Sequence, residues 1–309
     1  MANSYAQADA VGRFQKDSLI RVDNCPELGF YHDYYLFIPA GVKLNQRTFL
    51  LVEPNNTGRI SDSSEVHDEQ ARFLASRSSV GNNISTELRL PFLVPVFPRP
   101  ASKPNTYTHA LDRDVMEETE PSLRRLDQQL VHMIQHAIKR LSTMQIDAEN
   151  EVLMSGFSAS ATFTNRFAFL HPELIRALAI GGFNGTLMLP LSNFEGKPLN
   201  YPLGISDFKD LFTKNADTAT FRQIPQFIYM GELDENDAVQ FEDAYSQQER
   251  DLINSVFGPS VSQRFPRYQE IYIERGINAT FKTFKDVGHW TTSEMNLQVI
   301  LFFRDHIKY

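Results

Sequence analysis

The chain has 309 residues, 42% of them hydrophobic and 22% charged, the composition of a soluble globular protein with a sizeable core rather than of a disordered or fibrous chain. Its formal net charge of −8 argues against a nucleic-acid or anionic-membrane partner, either of which calls for a basic face. The one cysteine, Cys25, can form neither an internal disulfide nor a thiolate metal site and is expected as a half-buried small side chain.

In chain order, residues 1–18 are polar and read as an arm or a helix, without the apolar core of a signal peptide. No run approaches the ~18 apolar residues of a membrane span, so the cytoplasm is the expected compartment. The aromatic stretch 31–41 alternates like a strand. Thr48 to Val52 is a continuous apolar run of the kind buried in a parallel sheet. It ends in EPNNTG, a loop composition. A helix is expected over 65–79, and a second buried strand over 90–97, interrupted by Pro95. In 122–143, Leu126, Leu130, Met133, Ile134, Ala137 and Leu141 recur at helical spacing. A strand is expected at 151–154, a helix at 161–170, a strand at 177–182 and another at 226–230. A helix over 240–256, a strand over 280–284 and a C-terminal helix from about 293 complete the pattern. Residues 184–222 show little periodicity and read as a cap inserted over one face of the sheet. Strands alternating with helices predict an α/β fold with a mainly parallel sheet; with no linker composition to divide it, the chain is expected to form a single domain.

Between the strand at 151–154 and the following helix stands Ser155-Gly156-Phe157-Ser158-Ala159-Ser160. In a parallel sheet, reactive groups gather beyond the carboxyl ends of the strands. A sharp strand-to-helix turn there needs small residues two before and two after its apex, and Gly156 and Ser160 are small. This is the G-x-S-x-G nucleophile elbow in the form G-x-S-x-S, with Ser158 at the apex. The N–H of Ala159, at the start of the helix, is the first candidate donor to an oxyanion. A serine needs a base and an orienting acid, which follow in this fold in the order Ser, acid, His. His289, in DVGHW after the last strand, fits the base. The histidine pair His132 and His136, one turn apart on the long helix, has no third metal ligand beside it, and His171 reads as structural. The strand FIYMG runs into ELDENDAV. Asp234 occupies the usual place of the acid, and Asp237 is the alternative.

With GFSAS at 156–160, GELD at 231–234 and GHW at 288–290 in order, the sequence resembles the α/β-hydrolase superfamily. Within it, SGFSASATFTNRFAFLHPELIRALAIGG looks most like the esterases grouped with polyhydroxybutyrate depolymerases and feruloyl esterases. The resemblance implies hydrolysis of a small-molecule or oligomeric ester through an acyl-enzyme on Ser158, with no metal or organic cofactor. His289 would act as base and acid, and Asp234 would orient it. The second oxyanion donor would come from the loop after the third strand, here Pro54-Asn55-Asn56 where relatives carry His-Gly; Asn55 and Asn56 are the candidates. A peptidase or thioesterase using the same three residues, and a non-catalytic binding protein on the same fold, are the alternatives. Phe194, Tyr201 and Phe208 in the inserted stretch could line an acyl pocket or form the core of the cap.

Overall fold

The structure, a computed structural model, describes residues 12–56, 58–77 and 79–308. Most of the polar arm expected over 1–18 lies outside these residues; from residue 12 the chain runs beside Lys43, which Arg13 bridges, before entering the first strand.

Among the described residues ten strands form, eight of them in one sheet. They are β1 (Ser18–Val22), β2 (Tyr34–Ile38), β3 (Arg47–Val52), β4 (Phe92–Pro95), β5 (Asp147–Phe157), β6 (Ile175–Gly181), the small hairpin strands β7 (Asn193–Phe194) and β8 (Lys197–Pro198), β9 (Gln226–Gly231) and β10 (Ala279–Phe284). The large sheet has the order β1-β2-β4-β3-β5-β6-β9-β10. β1 and β2 pair antiparallel, as do β2 and β4; every other neighbouring pair is parallel. The helices are α1 (Ser64–Ser76), α2 (Val80–Leu88), α3 (Arg113–Glu117), α4 (Leu126–Thr143), α5 (Ala159–Leu170), α6 (Phe208–Phe212), α7 (Thr218–Gln223), α8 (Gln247–Val256), α9 (Val261–Glu274) and α10 (Ser293–His306).

The strands sort their side chains with period two. Leu50, Val52, Val152, Met154, Leu178, Ile180 and Ile228 face one core with α4, α5 and α9. Phe49, Leu51, Leu153, Ala177, Ala179, Phe227 and Tyr229 face the other, covered by α1, α2 and α10. The stripe expected on 122–143 packs into the first core as Leu126, Leu130, Met133, Ile134, Ala137 and Leu141. Burying such a side chain contributes roughly 1.5–3 kcal/mol each, so these two layers hold the sheet.

Two expectations change. The helix expected to run to residue 79 stops at Ser76, and a second one, α2, starts after Ser79, whose hydroxyl accepts the Asn82 N–H. The helix expected over 240–256 begins only at Gln247, where Ser246 and Glu249 form a reciprocal cap. Residues of the stretch 184–222 pack into the first core. Leu187, Met188, Leu189 and Tyr201 are fully buried, Phe194 and Phe208 nearly so, and the Tyr201 hydroxyl donates to the Leu111 carbonyl at 2.6 Å. No helix of the described residues is long and apolar enough to cross a membrane.

Candidate active site

β5 ends at Phe157 and α5 begins at Ala159, leaving Ser158 alone at the apex with φ +63° and ψ −128°. A non-glycine residue held there costs on the order of 1–3 kcal/mol. The surrounding bonds enforce it. Ser158 N–H donates to the Gly181 carbonyl at 3.0 Å. The Ser160 hydroxyl accepts the Phe157 N–H at 2.9 Å and donates to the Phe157 carbonyl at 2.8 Å. Ser160 thus closes the turn with a side chain where a glycine would close it by absence. Gly156 has no such freedom: a Cβ there would lie 2.4 Å from the Ser160 carbonyl oxygen.

The loops after β9 and β10 cross above the sheet's carboxyl edge. Leu233 N–H donates to the Val287 carbonyl and Glu232 N–H to the Phe284 carbonyl, both at 2.8 Å. Gly231 allows this crossing, since its Cβ would meet Val287 O at 2.2 Å. The result sets His289 against Asp234. Nδ1–H of the imidazole donates to the carboxylate, 3.0 Å from Oδ1 and 2.9 Å from Oδ2. Asp234 is 2% exposed, and the His289 ring rests on the Phe157 ring with centroids 5.0 Å apart. Asp237, the other acid of the loop, turns away: it pairs with the guanidinium of the buried Arg264 and accepts the Val239 N–H at 3.0 Å.

Asn236 stands between the serine and the histidine. Its Nδ2 donates to Ser158 Oγ at 3.2 Å and to His289 Nε2 at 3.0 Å, while its backbone N–H donates to Asp234 Oδ1 at 3.0 Å. Among the described residues no hydrogen bond joins Ser158 to His289 directly. Sequence reasoning passed over Asn236, because a loop asparagine carries no local mark of what it will meet.

Ser158 opens into a cleft of about 630 Å³ whose walls include Asn56, Asn105, Tyr107, Asn184, Asn236 and Phe241. Arg99 in the same wall pairs with Asp243 at 2.5 Å and lies 3.9 Å over the Tyr107 ring. Those two charges neutralise each other, and the rest of the wall mixes the carboxamides of Asn56, Asn105, Asn184 and Asn236 with Ile60, Tyr107, Phe241 and the carboxylate of Glu242. Phe194, Tyr201 and Phe208 are absent from this cleft and belong to the core.

The loop after β3 is held by a side chain acting as a strand. Asn55 donates through Nδ2 to the Phe97 carbonyl at 2.8 Å and accepts the Phe97 N–H at 2.9 Å. His109, also bonded to that carbonyl at 2.9 Å, is kept neutral by burial, which pushes it down to about 3. At the loop's start, burial pushes the Glu53 carboxyl up to about 7 against the Gly81 N–H that it accepts. The loop brings Asn56 to the cleft beside Ser158. The backbone N–H groups of Asn55, Asn56 and Ala159 have no backbone acceptor among the described residues.

The other histidines serve the fold. His171 is bonded to the buried Asp127 at 2.9 Å, His136 to the Tyr34 hydroxyl at 2.8 Å, and His132 to the Gly29 carbonyl at 3.1 Å. Cys25 is half-buried, as expected.

No protein-family model and no curated protein matches this sequence. Solved structures do match. The chain is similar to poly(aspartic acid) hydrolase-1 from Sphingomonas sp. KT-1, with TM-score 0.58 and 16% identity over 94% of this chain and 98% of that one. It is similar to a poly(3-hydroxybutyrate) depolymerase from Bordetella parapertussis, with TM-score 0.53 and 14% identity over 96% and 92%. An S-formylglutathione hydrolase from Agrobacterium tumefaciens gives TM-score 0.53 and 11% identity over 97% of each chain. At such identities the likeness is one of architecture, and with its mostly parallel eight-stranded sheet between two helical layers this chain has the α/β-hydrolase fold.

Proposed function

We propose that the protein is a serine hydrolase that cleaves carboxylic esters through an acyl-enzyme on Ser158. The observation that carries this reading is the imidazole of His289, bonded through Nδ1 to both oxygens of the buried Asp234, with Nε2 facing the strained apex serine across a single carboxamide. With its N–H committed to Asp234 through Nδ1, the ring keeps its lone pair on Nε2, the side on which Asn236 and, beyond it, Ser158 stand.

Ser158 Oγ attacks the ester carbonyl as His289 Nε2 takes its proton. Asp234 holds the ring and stabilises the imidazolium. The tetrahedral oxyanion is met by the Ala159 N–H at the α5 N-terminus and by the Asn55 or Asn56 N–H; one such donor is worth roughly 3 kcal/mol in comparable enzymes. His289 returns the proton to the departing alkoxide. Water, activated by the same imidazole, then frees the acid and restores the serine.

The test is hydrolysis of p-nitrophenyl esters of increasing acyl length, with plain and hydroxylated acyl groups, by wild type and Ser158→Ala. Turnover by wild type and loss of at least about 10³-fold in a folded Ser158→Ala protein is the expected result. Equal rates in the two proteins overturn the mechanism. Thioester and amide analogues in the same panel separate the ester reading from a thioesterase or peptidase.

A further inference from the structure

Ser158 and His289 are not joined to each other. Both are joined to Asn236. A carboxamide nitrogen has two hydrogens and no lone pair to accept with. It therefore gives one N–H to Ser158 Oγ and one to His289 Nε2. The second bond uses the lone pair with which the imidazole would take the serine proton. The first uses a lone pair of the oxygen that would attack. Asn236 is itself held: its own N–H is anchored on Asp234 Oδ1 at 3.0 Å, the carboxylate that orients His289. The amide is thus placed by the same group that places the base.

We infer that Asn236 is a positioning residue that latches the unoccupied site, separating Ser158 from His289 until an oxygen of the entering substrate competes for its side-chain N–H groups. The inference rests on the serine-hydrolase reading above. An ester in the cleft brings a carbonyl oxygen and an alkoxy oxygen to Ser158, and both accept hydrogen bonds. An amide that turns toward either one surrenders both of its present acceptors together. The Nε2 lone pair is then free, and the serine hydroxyl can donate to it. Activation of the nucleophile is in this way coupled to occupancy, and an acyl donor that fits the cleft poorly meets a serine whose base is engaged elsewhere.

A small electrophile with no fit to the cleft reports on the latch. With phenylmethanesulfonyl fluoride, Ser158 Oγ attacks sulfur, the S–F bond breaks, fluoride leaves, and the serine proton passes to His289 Nε2. The second-order labelling rate is measured for wild type, Asn236→Ala and Ser158→Ala, with the labelled residue located by mass spectrometry and folding checked by melting. Removing the latch is expected to speed labelling of Ser158 about tenfold, the factor for losing one to two net hydrogen bonds ahead of the reaction. A residue with a merely structural role gives a slower or unchanged rate when removed, not a faster one. Equal or slower labelling of a folded Asn236→Ala protein overturns the inference and leaves the serine-hydrolase reading standing. Absence of Ser158 labelling in wild type and variant alike overturns that reading, and the latch with it. Should Asn236→Ala fail to fold, Asn236→Ser, too short to reach both partners, is put through the same comparison.

Discussion

Asp234 and Asp237 share one loop and meet different partners. Asp234 is bonded to His289, which exchanges a proton in the proposed reaction; Asp237 is bonded to Arg264, which is fully buried and always charged. Replacing each by asparagine should separate the two roles. Asp234→Asn is expected to lower kcat by about 10⁴, since an amide presents the wrong partner to Nδ1–H, with little change in melting. Asp237→Asn is expected to leave kcat within a few-fold and to lower unfolding stability by about 3 kcal/mol, because it strips a buried guanidinium of its counter-charge. Steady-state kinetics and urea unfolding on both variants decide the matter; the reverse ranking would move the orienting role to Asp237. In the sequence these two acids differed only by loop position. What divides them is Arg264, far along the chain on α9.

The elbow is the element on which the site turns, and its tightness can be tested. Gly156→Ala sets a methyl against the Ser160 carbonyl, backbone against backbone, and neither can swing aside. The turn must open, moving Ser158 off its strained apex. Turnover is expected to fall at least 100-fold in whatever folded protein is obtained, because misplacement by about 1 Å costs that much; unchanged kinetics would mean that the apex conformation does not matter. This motif was legible because sterics dictate its residue types. The α4 stripe and the apolar runs of β3, β6 and β9 were legible for a similar reason, each being buried as a unit. Other elements were not. β1, SLIRV, is an edge strand whose pairing with β2 is not written in its own residues. α2, VGNNISTEL, holds a glycine and two asparagines and is helical because Val80 and Ile84 dock on the second core. α9 carries Pro266 within it, a residue that argues against a helix until packing overrides it.

At the scale of the molecule, the buried titrating groups set how stability depends on pH. Burial pushes Asp112 up to about 8 and Glu53 up to about 7, from 3.8 and 4.5. Between those limits the folded state keeps protons that the unfolded state releases, so both groups make stability fall as pH rises. His109 acts in the opposite sense: burial lowers it from 6.5 to about 3, so stability falls as pH drops through that interval. Asp127, buried yet held below the ordinary carboxylate range by Arg125 and His171, withdraws stability below about pH 4. His32 and His136, both lowered by burial, act in the same sense as His109, so the two carboxyls prevail only above about pH 6.5, where an unfolded histidine is already neutral. Urea midpoints are therefore expected to decline from about pH 6.5 to pH 8, and Glu53→Gln to flatten that decline. A midpoint rising steadily over this range would refute the assignment.

The strand order has a further consequence, for the chain as it is made. From β5 onward each new strand of the large sheet, β6, then β9, then β10, is laid beside the one before it, so the sheet can grow outward in the order of synthesis. Ser158 and its turn need only β5, α5 and the end of β6. Asp234 arrives after β9, and His289 only when β10 has taken the edge. A nascent chain thus carries the shaped Ser158 turn through much of its elongation without Asp234 and His289 beside it, and the proposed chemistry becomes possible only near the last step of assembly.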